Sequence, residues 1–179
     1  MKFLQYLFIS LSHKILKLLP YTSIRILSVP IGTLYFLLTF RSSIKLFKRK
    51  EIFNELKINY KPLIVKINYT RYWLETLWLT NKNFSKYISP HVEIENLEYV
   101  EKLKKQYPGL IYALPHLGNW EFAIPMGKFL DLNLVAVAEP LDDEKILHWF
   151  TELREDLGCK IILGGKGQNT FERVKEFLK

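Results

Sequence analysis

The chain has 179 residues, enough for one domain with a hydrophobic core and too few for two full domains to be expected. Lysine and arginine outnumber the acidic residues by 26 to 18, and the net charge of +8 favours a polyanionic partner, either nucleic acid or lipid headgroups. The single cysteine, Cys159, excludes an internal disulfide, and no Cys/His cluster has zinc-site spacing. Because Cys159 lies between Gly158 and an apolar run, we expect a buried, inert thiol.

Apolar residues are concentrated in the first forty residues, which favours a bilayer over nucleic acid as the partner. Residues 1–19 place leucine, isoleucine and phenylalanine at helical spacing, and this predicts a helix lying in the membrane interface. A cleaved signal peptide is the alternative. No small-residue cleavage site follows the apolar stretch before Lys14 and Lys17, so we do not expect cleavage.

The segment from Ile26 to Phe40 contains no charged residue. A full span needs roughly 20 apolar residues, so a tilted span, a hairpin arm bent at Pro20 and Pro30, and a core helix all stay open. A basic cluster, residues 45–50, follows this segment. We expect the cluster to face the cytoplasm and anionic lipid, against the alternative of a solvated helix surface.

Between residues 51 and 80 helical periodicity returns, and Pro62 divides it into two predicted helices whose aromatic residues pack rather than bind a ligand. Residues 81–90 are rich in turn formers, residues 92–94 alternate like a short strand, and residues 97–106 predict a helix. We therefore divide the chain into a membrane-associated helical arm (1–45), a helical packing segment (46–90) and the N-terminal part of an α/β domain (91–179).

Three apolar runs, residues 110–114, 134–138 and 160–163, alternate with predicted helices over 120–130, 142–157 and from Asn169 onward. Asn169 is the predicted N-cap of the last helix, with Glu172 three residues on, and Gly158 is expected to close the helix before it. This alternation predicts an α/β fold: a parallel sheet flanked by helices. The last helix reaches Lys179 without a cap, so we expect an incomplete sheet with an exposed edge.

The string Pro115-His116-Leu117-Gly118-Asn119-Trp120-Glu121 joins the first apolar run to the next helix. Ligands of open parallel sheets bind beyond the carboxyl ends of strands, where this turn lies. A carboxylate at Glu121 can hold one ring nitrogen of His116 protonated and leave the other free to accept a proton from a substrate hydroxyl. In the alternative interpretation His116 caps a helix and Glu121 is a favourable first-turn acid.

These residues resemble the lipid A biosynthesis acyltransferases, a branch of the lysophospholipid acyltransferase superfamily. That superfamily is marked by a histidine and, after four intervening residues, an acid; the fuller string His-x-Gly-Asn-Trp-Glu is similar to the lipid A branch. Further similarities cover nearly the whole chain: Leu19-Pro20, the segment 71–75, the segment 92–96 and the turn 154–158. Asn96 departs from the glycine that is usual in the family.

The resemblance implies a glycerol-3-phosphate-acyltransferase-like fold and transfer of a fatty acyl chain from acyl carrier protein or acyl-coenzyme A. The implied acceptor is a hydroxyl of a lipid A precursor or related glycolipid, at the cytoplasmic face of the inner membrane. His116 and Glu121 are the implied catalytic pair. Arg154 is implied as a cation that binds phosphate or stabilises the oxyanion, and Asn119 is assigned to substrate binding. Neither a metal nor a tightly bound cofactor is expected.

Three alternatives stay open. The acceptor can be a phosphatidylinositol mannoside or another membrane lipid. The chain can be a non-catalytic, membrane-associated remnant that binds anionic lipid through residues 45–50. A basic nucleic-acid binder would show steep salt dependence of its affinity, and the apolar N-terminal arm argues against it. For Arg154 the alternative is a surface helix charge beside Glu155 and Asp156.

Overall fold

The computed structural model of the chain describes residues 2–40, 61–107, 109–115, 117–165 and 169–178. The basic cluster 45–50 and the helix predicted before Pro62 lie outside these residues. The helices and strands run in this order: α1 (Lys2–Leu16), α2 (Tyr21–Leu38), α3 (Pro62–Trp78), α4 (Leu97–Gln106), α5 (Ala123–Phe129), β1 (Leu134–Ala138), α6 (Glu144–Leu157), β2 (Cys159–Leu163) and α7 (Thr170–Phe177). A parallel sheet with flanking helices confirms the predicted α/β class.

The chain divides into two compact units. One, the helical unit, comprises Ser12–Trp78; the other, the α/β unit, comprises Met1–Leu11 and Leu79–Lys179. The division runs through α1. The three-segment organisation predicted from the sequence stays a prediction.

In the helical unit α2 and α3 pack side by side in opposite directions. The face of α2 that meets α3 carries Ile24, Ser28 and Gly32, which are buried and recur every fourth residue. Gly32 is required there because a Cβ atom would lie 2.6 Å from the Cα of Ile67. The two backbones therefore approach each other as closely as small residues allow.

Hydrogen bonds at one end of this unit connect α3 to the residues around the start of α2. The fully buried Trp78 indole donates to the carbonyl of Leu19 at 2.9 Å, which agrees with the predicted packing role of the aromatic residues. Tyr21 donates its hydroxyl to Glu75 at 2.8 Å. Burial, together with the neighbouring carboxylate, raises the pKa of Tyr21 to about 12, so the phenol stays neutral and remains a donor.

In the α/β unit β1 and β2 pair in parallel, with Leu134 opposite Cys159 and Ala138 opposite Leu163. The crossover helix α6 is fixed at both ends. Asp143 accepts from the backbone N–H groups of Lys145 and Ile146, and Gly158 closes the helix at a positive φ of 106°, as the sequence predicted. The core cluster contains Leu79, Phe84, Ile124, Leu153, Leu157, Cys159 and Ile161.

The prediction of a third strand was wrong for the described residues. Residues 110–114 and 92–94 are irregular, and Ile111 and Leu114 are 85% and 60% exposed. An apolar run becomes a strand only when its backbone groups meet those of another strand. The described chain provides no such partner beside either segment, so the sheet described has two strands.

One further local prediction was wrong, and another was confirmed only in part. Residues 81–90, predicted as turns, form successive short helical pieces, Asn81–Asn83, Phe84–Ile88 and Ser89–His91, because Phe84 is buried in the core cluster. Asn169 occupies the N-cap position of α7, as predicted, but its side chain makes no cap hydrogen bond and its backbone is left-handed, with φ 45°.

Asn96 likewise lies in the left-handed region, with φ 57° and ψ 34°, directly before α4. Glycine adopts this conformation most readily, and asparagine tolerates it better than other residues. The departure from glycine at Asn96 therefore keeps the backbone geometry.

Gly32→Val should destabilise the helical unit by about 1–3 kcal/mol, since its side chain would overlap the backbone of α3. Thermal unfolding followed by circular dichroism in detergent measures the change. Leu34→Val, two residues along on the exposed side of α2, is the control and should change stability by less than about 0.5 kcal/mol. Equal losses in the two variants would contradict the close packing described for Gly32.

Candidate active site

The residues before and after the predicted catalytic histidine are exposed. His116 itself lies outside the described residues. Pro115 and Leu117 flank it and are exposed, and the N–H of Leu117 donates to the carbonyl of Pro115 at 2.8 Å. Gly118 then takes a positive φ of 61°, which reverses the chain without the strain that a side chain would add.

Asn119 begins the helical segment that follows this turn. Its side-chain oxygen accepts a hydrogen bond from the N–H of Glu121 at 3.2 Å, so it caps the short 3₁₀ helix Trp120–Phe122, which continues into α5. The described contact gives Asn119 a structural role at the start of the helix. Its assignment to substrate binding stays a prediction.

Glu121 is fully buried, with 0% of its surface exposed. A carboxylate taken out of water needs an opposite charge or several hydrogen bonds, because losing its hydration costs several kcal/mol. Glu121 does lie in the first turn of the 3₁₀ helix Trp120–Phe122, as the alternative interpretation has it, but it is buried rather than exposed to solvent. Its burial requires a compensating partner inside the α/β unit.

Arg154 of α6 is that partner. Its Nη2 donates to Oε1 of Glu121 at 2.7 Å, and its Nε donates to Oε2 at 3.1 Å. Two nearly parallel bonds to the two carboxylate oxygens are the arrangement for which the guanidinium group is best suited. The alternative interpretation of Arg154 as a surface helix charge is wrong, because its side chain is only 17% exposed.

Two aromatic rings lie close to the guanidinium group of Arg154. Its Cζ lies 4.9 Å from the centroid of the Trp120 ring and 5.5 Å from that of Phe150. Both distances fall within the range of favourable cation–π contact. The ion pair is largely removed from water, with 17% of the Arg154 side chain and none of the Glu121 side chain exposed, and this strengthens the attraction between the charges.

The elements that hold this pair are themselves anchored in the core. Arg154 lies between Leu153 and Leu157 in α6, and both leucines are buried in the core cluster. Glu121 is followed by Ile124, which belongs to the same cluster. The pair therefore has little freedom to shift, and it fixes the start of the segment after the His116 turn.

The structure thus brings together Asn119, Glu121 and Arg154, three of the four residues singled out in the sequence. The hydrogen bond predicted between His116 and Glu121 stays a prediction. Sequence reasoning missed the roles of Trp120 and Phe150. Their positions offered a signal, since Trp120 adjoins Glu121 and Phe150 lies four residues before Arg154, on the same face of a helix.

Cys159 and the described histidines His13 and His148 lie outside the pair formed by Glu121 and Arg154. Cys159 is 3% exposed, and burial raises the pKa of its thiol, as expected for an inert cysteine. His13 contacts the carbonyl of Leu77 at 2.8 Å, and the exposed His148 lies 3.1 Å from Glu152. Among the described residues no group of three or more His, Cys, Asp or Glu is placed to hold a metal ion.

Comparison with known proteins defines the class. The family model of the bacterial lipid A biosynthesis acyltransferases matches residues 2–179. The chain therefore belongs to this acyltransferase family. It is also similar to the phosphatidylinositol mannoside acyltransferase of Mycolicibacterium smegmatis, at 30% identity over 115 residues, which cover 62% of this chain and 36% of the relative.

A second relative has the same name and comes from Mycobacterium tuberculosis; it is 31% identical over 118 residues, which cover 63% of this chain and 36% of the relative. The chain thus spans about a third of the length of the curated relatives it matches. No solved structure gives a significant match.

Arg154→Met should destabilise the α/β unit by about 3–5 kcal/mol, because it removes the guanidinium group that forms two hydrogen bonds with the buried carboxylate of Glu121. Adding Glu121→Gln should recover part of this loss, since the amide carries no charge. Urea unfolding of the wild-type protein, the Arg154→Met variant and the Arg154→Met/Glu121→Gln double variant measures both effects.

The matched control is Lys175→Met, which removes an exposed ion pair with Glu172 on α7. Exposed pairs contribute at most about 1 kcal/mol. A loss for Arg154→Met no greater than that for Lys175→Met would show that the buried pair is not the constraint described.

Proposed function

We propose that the protein of this chain transfers a fatty acyl group from a thioester donor to a hydroxyl of a membrane lipid. The observation that carries the proposal is the buried carboxylate of Glu121, held by Arg154 at the start of the helix that follows the His116 turn. Membership of the acyltransferase family supports the same activity.

His116 is the proposed general base. One ring nitrogen accepts the proton of the acceptor hydroxyl as the oxygen attacks the thioester carbonyl. The tetrahedral intermediate then collapses, the carbon–sulfur bond breaks, and the proton passes from the imidazolium to the leaving thiolate. The products are an ester and the free thiol of the donor, and the acceptor itself supplies the nucleophile.

Glu121 is proposed to hold the second ring nitrogen of His116 protonated and to stabilise the imidazolium while it exists. A carboxylate does this best when it is held in one orientation. The bidentate contact with Arg154 fixes the orientation of the carboxylate. We therefore propose Arg154 as a positioning residue rather than a ligand of the substrate phosphate or oxyanion.

The family and the relatives favour different acceptors. Membership of the lipid A family supports a hydroxyl of a lipid A precursor, the acceptor expected from the sequence. The similarity to phosphatidylinositol mannoside acyltransferases supports a mannosylated phospholipid as a second candidate. In both cases the proposed donor is acyl carrier protein or acyl-coenzyme A, and the proposed location is the cytoplasmic face of the inner membrane. The intact His116 to Glu121 string argues against a non-catalytic remnant.

His116→Ala should reduce acyl transfer by at least about a hundredfold, since general acid–base groups contribute 10²–10⁴. Glu121→Gln should also lower kcat while leaving KM for the acyl donor nearly unchanged. The natural gene product in isolated membranes is assayed with a radiolabelled acyl donor. His148→Ala is the control, because His148 is exposed and remote in sequence from the motif. Turnover of His116→Ala equal to that of His148→Ala would refute the assignment.

Two measurements test Arg154 and the acceptor separately. If Arg154 positions Glu121, Arg154→Lys lowers kcat and leaves KM unchanged; if it binds substrate phosphate, KM rises. Mass spectrometry of lipids from a deletion strain identifies the acceptor: loss of one acyl chain from lipid A supports the first candidate, and loss from a mannosylated phospholipid supports the second.

A further inference from the structure

The surface of α2 that faces away from α3 is apolar and exposed. Among the described residues α2 is the helix whose length and composition would allow it to cross a membrane, with a mean hydropathy of 1.3. Only 17% of its residues are buried. The exposed large side chains on this surface are Ile26, Val29, Ile31, Leu34, Leu37 and Leu38. Contact with water over this whole surface is unfavourable, so it needs an apolar covering.

The antiparallel contacts between α2 and α3 extend along the whole of α2. Tyr21 at its start bonds to Glu75, Ser28 accepts from Nε of Arg71 at 3.4 Å, and Gly32 lies against the backbone of Ile67. Near the end of α2, Nζ of Lys66 lies 4.3 Å from the centroid of the Tyr35 ring. The two helices must therefore occupy the same depth in any membrane.

This pairing argues against α2 as a spanning helix. Ser28 lies at the middle of α2, so a perpendicular α2 would place the guanidinium of Arg71 at the centre of the hydrocarbon, where charged groups are strongly disfavoured. Lys66 and Glu75 would lie inside the bilayer with it. An 18-residue helix is also only about 27 Å long, slightly short of a hydrocarbon core of about 30 Å.

The charges of the helical unit fit an anionic surface. Its described residues carry six basic side chains, Lys14, Lys17, Arg25, Lys61, Lys66 and Arg71, and one acidic side chain, the buried Glu75. Lys14, Arg25 and Lys61 are exposed. An apolar surface accompanied by basic residues is the pattern of a helix that lies in the headgroup region of an anionic membrane.

We propose that α2 and α3 lie as a pair in the plane of an anionic lipid bilayer, with the exposed apolar side of α2 among the acyl chains, and that α2 does not cross the membrane. The apolar side of α2 continues onto the first half of α3, where Leu63, Ile64 and Val65 are also exposed. Basic residues at both ends of the pair then contact lipid phosphates. This inference does not depend on the proposed catalytic role of His116.

Topology distinguishes the in-plane arrangement from a spanning one. Cys159→Ser removes the natural thiol, and Lys14→Cys or Lys61→Cys then places a single exposed thiol before or after α2. A membrane-impermeant maleimide is applied to right-side-out and inside-out vesicles from cells that produce the full chain. The proposal predicts that both thiols are labelled in the same type of vesicle. Labelling in opposite types, or a Lys61→Cys thiol reached in neither, would overturn it.

A vesicle-binding assay tests the proposed surface itself. The double variant Leu34→Glu/Leu38→Glu should lower binding of the purified chain to phosphatidylglycerol-containing vesicles by about tenfold or more, because two apolar side chains are lost from the buried area. Phe171→Glu is the matched control, since Phe171 on α7 is 71% exposed and outside the helical unit. Circular dichroism checks that each variant is folded. Equal vesicle binding by the double variant and the control would refute the proposal that the apolar side of α2 contacts the membrane.

Discussion

The ion pair between Glu121 and Arg154 is the interaction on which the organisation of the α/β unit around the His116 turn depends. A fully buried carboxylate is tolerated only where a cation meets it, and here the cation comes from a helix 33 residues further along the chain. β1 lies between the two residues in sequence. The pair therefore forms only when the 3₁₀ segment, the strand and α6 have all taken their places. Correct folding of these three elements therefore also positions the carboxylate that the proposed chemistry requires.

A related electrostatic constraint shapes the helical unit. α2 has an exposed apolar side, while α3 brings Arg71 and Glu75 against its other side, where they bond to Ser28 and Tyr21. A charged partner along the length of α2 limits how deeply the pair can enter hydrocarbon. The composition of α2 alone suggests a span, and its neighbour argues against one. For this reason the packing of a hydrophobic helix is as informative about its membrane topology as its hydropathy.

Much of the fold was predictable from sequence because its determinants are local. The bounds of α4 and β1 were predicted to the residue, and the cap at Gly158 follows from a single left-handed glycine. Strands were predicted less well. Residues 110–114 have the composition of a strand. A strand forms only beside a partner strand that is distant in sequence, and the local hydrophobic pattern carries no information about that partner. Similarly, Glu121 and Arg154 were each singled out in the sequence, but their contact was not predicted, since neither local motif contains information about the other.

The division of the chain within α1 bears on the order of events during synthesis. Residues up to Leu11 belong to the same unit as residues 79–179, and the ring of Phe3 lies 4.9 Å from the ammonium group of Lys145. These first residues leave the ribosome long before the partners they contact. Such long sequence separations slow folding, because the entropy of closing a large loop must be overcome first. During that delay the apolar side of the nascent α1 is exposed, and a nearby bilayer can shelter it from aggregation.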